Sequence, residues 1–222
     1  MGASLASAVN LRSLYVSDIP SSGAVLATAL ATVLPTMQHL HSVTLIDIGW
    51  GAITVAPVVT ALAALPSLKD VNIQWSNSEG DADVGLASLP QCCPALASLR
   101  ATYSPMSTAG LMDVLRAAST CPQLHSLDVS FTHVDALEDL VLLVAACTPT
   151  LTRMQLRLQG VSSAQMLVFL RALAHTDQMR CVTVELLYTG IDNSGVDECK
   201  RLIDELGWCG NNADPNRCTT CL

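Results

Sequence analysis

The sequence predicts an α/β solenoid: a parallel inner sheet with helices along its outside, built from about seven strand–turn–helix units. Three observations carry that expectation. An apolar pattern, L-x-x-L-x-L with other apolar residues substituting, recurs at a nearly constant spacing. Prolines fall at a fixed phase of the same period. Between each strand pattern and the next proline, apolar residues pair at i and i+4 in most units.

The pattern starts at Leu11 (with Leu14 and Val16), Leu40 (Val43, Leu45), Leu68 (Val71, Ile73) and Leu96 (Leu99, Ala101). It continues at Leu124 (Leu127, Val129), Leu151 (Met154, Leu156) and Met179 (Val182, Val184). The offsets between starts are 29, 28, 28, 28, 27 and 28. A fixed period of this length is the signature of stacked supersecondary units. Within each pattern the apolar residues alternate with x positions, the period of a strand. Pro66, Pro94, Pro122 and Pro149 each stand two residues before the next start. Proline cannot continue a helix, so each one ends a helix and releases the chain into the following strand. The pairs Leu26/Leu30, Val55/Val59, Leu111/Leu115 and Met166/Leu170 each lie on one helix face. One such unit cannot bury its apolar face alone, so neighbours must stack.

Period and pattern resemble the ribonuclease-inhibitor-like leucine-rich repeats. The segments Cys93-Pro94-Ala95-Leu96 and Cys121-Pro122-Gln123-Leu124 resemble the cysteine-containing repeats of F-box adaptors. The resemblance covers roughly residues 11–206 and implies a horseshoe, with leucines inward and x residues on the inner surface. One departure stands out. The family places Asn or Cys three residues after the last apolar strand residue, where the side chain bonds the backbone of the bend. Here those positions are Ile19, Ile48, Ser76, Ser104, Thr132, Gln159 and Leu187, so the bend is expected to be looser.

Residues 1–10 read as the end of a preceding repeat or an amino-terminal cap, residues 11–208 as the repeats, and residues 209–222 as a cysteine-containing tail. The last helix carries Asp197, Glu198, Lys200, Arg201, Asp204 and Glu205, the solvated face expected of a terminal cap. Residues 1–68 hold only Arg12, Asp18 and Asp47 as charged side chains. The amino-terminal end is therefore expected either to form its own short cap or to be covered by more protein, because bare apolar ends aggregate.

The chain has 222 residues, a formal net charge of −8, and 50% hydrophobic against 14% charged residues. An acidic surface repels phosphate backbones, so nucleic acid is not an expected partner. The longest apolar stretches, 24–34 and 52–65, are too short to span a bilayer, and no secretory signal is visible in residues 1–10. Cys93, Cys121 and Cys147 fall at nearly one phase of the repeat, where cysteines act as small buried hydrophobes. These features set the expectation of an intracellular, cytoplasmic protein with reduced thiols. In the tail, Cys209, Cys218 and Cys221, with Cys199 upstream, could supply thiolates to zinc. The competing readings are a tail of free thiols or one local disulfide; no other cofactor is expected.

Two outward rows define the candidate binding surface. Between the second and third apolar residues stand Tyr15, Thr44, Asn72, Arg100, Asp128, Gln155 and Thr183; two residues further stand Ser17, Ile46, Gln74, Thr102, Ser130, Arg157 and Glu185. Trp75, Tyr103 and Phe131 occupy one repeat position in three successive units of a chain with eight aromatics. They are either a row of binding anchors or an aromatic spine filling the bend. Arg153 and Arg157 project from one strand and could meet an acidic partner, or form a solvated strand end balanced by Glu185. The named surface is thus Tyr15, Trp75, Arg100, Tyr103, Asp128, Phe131, Arg153 and Arg157. No phosphate-binding, metalloprotease or nucleophile-elbow motif occurs, so no enzyme activity is expected. The expected function is a protein-binding module or scaffold within a larger assembly. The alternatives are the substrate-recognition arm of a ubiquitin ligase and, from another class, a GTPase-activating protein.

Overall fold

Short alternating segments, each stopped by a proline turn, leave the chain one economical arrangement: strand beside strand, in order. The computed structural model describes residues 10–19, 23–48, 52–74, 85–102, 106–133, 144, 151–159, 162–174, 182–186 and 193–205. The strands are β1 (Ser13–Ser17), β2 (Ser42–Ile46), β3 (Asp70–Gln74), β4 (Ser98–Thr102), β5 (Ser126–His133), β6 (Arg153–Gln159) and β7 (Val182–Leu186). They form one seven-stranded sheet in the order β1-β2-β3-β4-β5-β6-β7, and every pair is parallel. The register aligns Leu14 with Val43, Val43 with Val71, Val71 with Leu99, Leu99 with Leu127, Leu127 with Met154 and Met154 with Val182. These are the second apolar residues of successive sequence patterns. A slip of one residue would turn every leucine to the other face, so burial fixes this register.

The helices are α1 (Gly23–Val33), α2 (Ala52–Ala63), α3 (Ser88–Cys92), α4 (Thr108–Thr120), α5 (Ser163–Ala174) and α6 (Asn193–Glu205). Consecutive helices pack on one another: α1 on α2, α2 on α3, α3 on α4, and α5 on α6. Every one of them contributes to a single core, through Leu26, Val59, Leu89, Leu111, Phe169 and Cys199. The inward strand residues Val43, Leu45, Ile73, Leu99, Leu127, Val129, Met154 and Leu156 lie in the same core. The helices therefore line one face of the sheet. Between β5 and β6 only Val144 is described; it is helical and buried.

Helix starts follow local chemistry. At α4 the Ser107 Oγ accepts from the Gly110 N–H at 3.1 Å, an N-cap bond to an otherwise unpaired donor. At α5 the capping is reciprocal. Ser162 N donates to Gln165 Oε1 at 3.0 Å, and Gln165 N donates to Ser162 Oγ at 3.4 Å, the capping-box arrangement.

Between helix and strand, one turn recurs. The N–H of Leu40, Leu68, Leu96 and Leu124 donates to the carbonyl three residues back, on Met37, Leu65, Cys93 and Cys121. The next carbonyl along then accepts twice from the following unit. Arg12 O takes His41 N and Ser42 N, His41 O takes Lys69 N and Asp70 N, Lys69 O takes Ala97 N and Ser98 N, Ala97 O takes His125 N and Ser126 N, and His125 O takes Thr152 N and Arg153 N. This repeated fork locks each unit to the next before the strand begins.

Cys93 and Cys121 are buried, free thiols at the turn position that Met37 and Leu65 fill earlier. The Cys93 Sγ lies 3.7 Å from Leu62 O and 3.8 Å from Ala63 O, near the end of α2. The Cys121 Sγ lies 3.7 Å from Leu96 O. A thiol is small enough to pack there and is a weak donor for carbonyls that the helix end leaves unpaired. Burial, reinforced by Cys92 and Cys121, pushes the Cys93 thiol up from 9.0 to about 11. Burial also raises Cys121, against the lowering effect of backbone hydrogen bonds at Gln123 and Leu124. Cys147 lies outside the described residues.

The bend after the strand departs from the expected loose geometry in the first two units. Asp18 and Asp47 adopt the left-handed region, with φ of 58° and 51°, which Asp tolerates better than most residues. Backbone bonds then continue beyond the strands: Asp18 N to Ile46 O, Ile19 N to Asp47 O and Asp47 N to Gln74 O, each 3.2 Å. Ile48, three residues after Leu45, fills the core. Backbone pairing and, in the second unit, an apolar plug close the bend.

Candidate protein-binding face

The face of the sheet away from the helices is built from alternate strand residues. Three rows cross it. Register aligns Ser13, Ser42, Asp70, Ser98, Ser126 and Arg153 in the first, and Tyr15, Thr44, Asn72, Arg100, Asp128, Gln155 and Thr183 in the second. The third runs Ser17, Ile46, Gln74, Thr102, and Ser130, Arg157 and Glu185 continue it. The first row was legible from the same alternation that gives the other two, and it explains why Arg153 is exposed at the start of β6.

The centre of the second row holds an ion pair. Arg100 Nε is 3.1 Å from Asp128 Oδ2, with 44% of the Arg side chain exposed but only 11% of the Asp. Asp128 sits between Arg100 on β4 and Gln155 on β6, and both Asp128 and Gln155 are buried. Both stand on the strand face opposite the core residues, each with a strand on either side. On the other flank, Asn72 stands beside Arg100, and Gln74 Nε2 donates to Asn72 Oδ1 at 3.4 Å. At the end of the row, on the edge strand, Tyr15 is 65% exposed.

The other sequence candidates divide. Phe131 lies on β5 where the register with β6 shifts between Ser130 and Thr132, and it has no register partner on β6. Trp75 and Tyr103 lie outside the described residues. The position they share with Phe131 is that of Asp18 and Asp47 in the first two units, the left-handed residues of the bend. Arg157 is directly opposite Glu185 in the β6–β7 register. His41 is half-buried and His125 exposed. Of the four tail-associated cysteines, Cys199 is enclosed in the core on α6; its thiol is raised by burial and then by Glu198. Cys209, Cys218 and Cys221 lie outside the described residues. Among the described residues no group of three or more His, Cys, Asp or Glu could hold a metal.

On the helical side a shallow cavity of about 430 Å3 lies between α3 and α4, lined by Leu86, Ser88, Gln91, Met106, Val114 and the exposed Asp113–Arg116 pair. Among the described residues no helix is long and apolar enough to cross a membrane. No family model matches the chain, and no curated protein is similar to it.

Proposed function

We propose that this chain is a leucine-rich-repeat solenoid, a horseshoe of about seven repeats of the ribonuclease-inhibitor-like, cysteine-containing type. Its function on this reading is to bind other proteins through the open face of the sheet, as a module or scaffold in a larger assembly rather than as an enzyme. The observation that supports this best is the ordered polar row across that face: an arginine held by a buried aspartate, flanked by amides, with an exposed tyrosine at its edge. Arg and Tyr are favoured anchors of protein interfaces because they combine large contact area with directed polar groups. Fixing Arg100 in advance lowers the entropy lost on binding. The fork of backbone bonds between units makes the face a rigid platform for such anchors.

The test is affinity purification of tagged full-length chain from its own cells, with partners identified by mass spectrometry. Wild type is compared with Tyr15→Ala/Arg100→Ala and with a helix-side control, Arg116→Ala. Partners lost in the first variant and kept in the control support the reading. Partners indifferent to the open-face variant, or lost only with Arg116→Ala, reject it. A separate assay of GTP hydrolysis across a panel of small GTPases tests the alternative activity, and stimulated turnover would replace the non-enzymatic reading.

A further inference from the structure

The open face does not share the charge of the whole chain. The outward positions of β1–β7 carry Asp70, Asp128 and Glu185 against Arg100, Arg153 and Arg157, a net of zero, whereas the chain has a formal net charge of −8. Asp128 is committed to Arg100. The acidic excess therefore lies outside this face. Arg100 is also presented in a particular way. The contact to Asp128 runs through Nε, which uses the side edge of the guanidinium. The Nη1 and Nη2 nitrogens of the end edge remain further donors of the group, and nearly half of the side chain is open to solvent. A guanidinium held by its side edge offers parallel N–H donors at its end, the fork that matches a second carboxylate. Asn72, beside it in the register, adds an amide whose oxygen accepts from Gln74 and whose N–H2 group is a donor. Arg153, exposed on the first row two strands away, is a second cation within reach of an extended segment, because adjacent strands are about 4.8 Å apart.

We infer that the open face recognises an acidic segment of a partner protein, with an Asp or Glu carboxylate received by the end edge of Arg100 and further acidic residues running toward Arg153. This rests on the protein-binding reading of the same face. Asp128 is then a positioning residue: it holds the guanidinium and does not touch the partner. Lysine could supply the charge at position 100 but not the fork.

The test is selection of a random 16-residue phage-displayed peptide library on the immobilised full chain, followed by titration of the selected peptides by fluorescence anisotropy. The expected result is enrichment of Asp and Glu. Arg100→Ala and Arg100→Lys should each weaken binding by about tenfold or more, the scale of a charge-assisted bidentate contact. Arg153→Gln should weaken it less and flatten its salt dependence, and Arg116→Ala should leave it unchanged. Each variant is first shown to melt like the wild type. Asp128→Asn should reduce affinity chiefly for peptides whose binding also drops with Arg100→Lys, which a merely structural role would not select. Enriched peptides without acidic bias, yet sensitive to Arg100→Ala, overturn this inference and leave the binding face standing. Peptides indifferent to every open-face variant, or no enrichment at all, overturn both.

Discussion

Edge and centre of the same sheet treat the same sequence position differently. At the x position between the last two apolar strand residues, Tyr15 on β1 is 65% exposed, while Asp128 on β5 is only 7% exposed. The apolar positions follow the same gradient: Leu14 on the edge is 8% exposed, and its partner down the ladder, Leu127, is fully enclosed. Among the described residues β1 pairs only with β2, whereas β5 has a strand on each side. A ladder side chain is covered by its neighbours, so the central units can hold a buried carboxylate and the edge presents a free aromatic ring. The pattern L-x-x-L-x-L is the same in both; what differs is how many copies flank it.

The largest expected consequence is in the core. Leu127→Ala should destabilise the protein by about 3–5 kcal/mol, because a cavity opens where neighbours on both sides hold the backbone in place. Leu14→Ala should cost about 2 kcal/mol, since an edge site relaxes more easily. Chemical denaturation of both variants measures the gap, and equal losses would remove the distinction between edge and centre.

Next in size is an alkaline effect at Cys93. The Cys93 thiol is raised from 9.0 to about 11 by burial, so its neutral form is favoured in the fold. The associated stability is complete below pH 9, and is lost as pH rises between 9 and about 11, where the unfolded chain ionises first. The loss amounts to about 2–3 kcal/mol. Melting curves across that window, wild type against Cys93→Ala, should converge as pH rises. A constant difference between them would show that the thiol is not buried as described.

Smaller again is the ion pair. Asp128→Ala should cost about 1 kcal/mol, the low end for leaving a polar partner unmatched, because Arg100 is half exposed and can return to water. A loss of 3 kcal/mol or more would mean that Arg100 is also enclosed and not offered to a partner. Smallest is Tyr15→Ala, expected to change stability by no more than about 0.5 kcal/mol, as for an exposed residue away from special features. A clear drop in melting temperature would place Tyr15 under a structural cover and weaken its claim as an anchor.

Much of this was legible before any coordinates. The offsets of 27–29 residues between patterns reappear as the register that pairs Leu14 with Val43 and Leu99 with Leu127, because a repeated inward residue can be buried only if its copies align. The i, i+4 pairs of α1, α2, α4 and α5 are buried for the same reason. The two outward rows also followed from alternation alone.

Sequence by itself determined the elements, their order and the face each strand residue takes, since those depend on local periodicity and on the need to bury one side. Only the tertiary structure decided how the polar residues are used. Arg100 and Asp128 are 28 positions apart in the chain, and become an ion pair because parallel register places β4 against β5. The bend after β1 and β2 was equally hidden. No side-chain signal marked it, because left-handed Asp18 and Asp47 and backbone bonds to the next unit close it. Interactions between units depend on which copy stands beside which, and a residue's own neighbours in sequence carry no record of that.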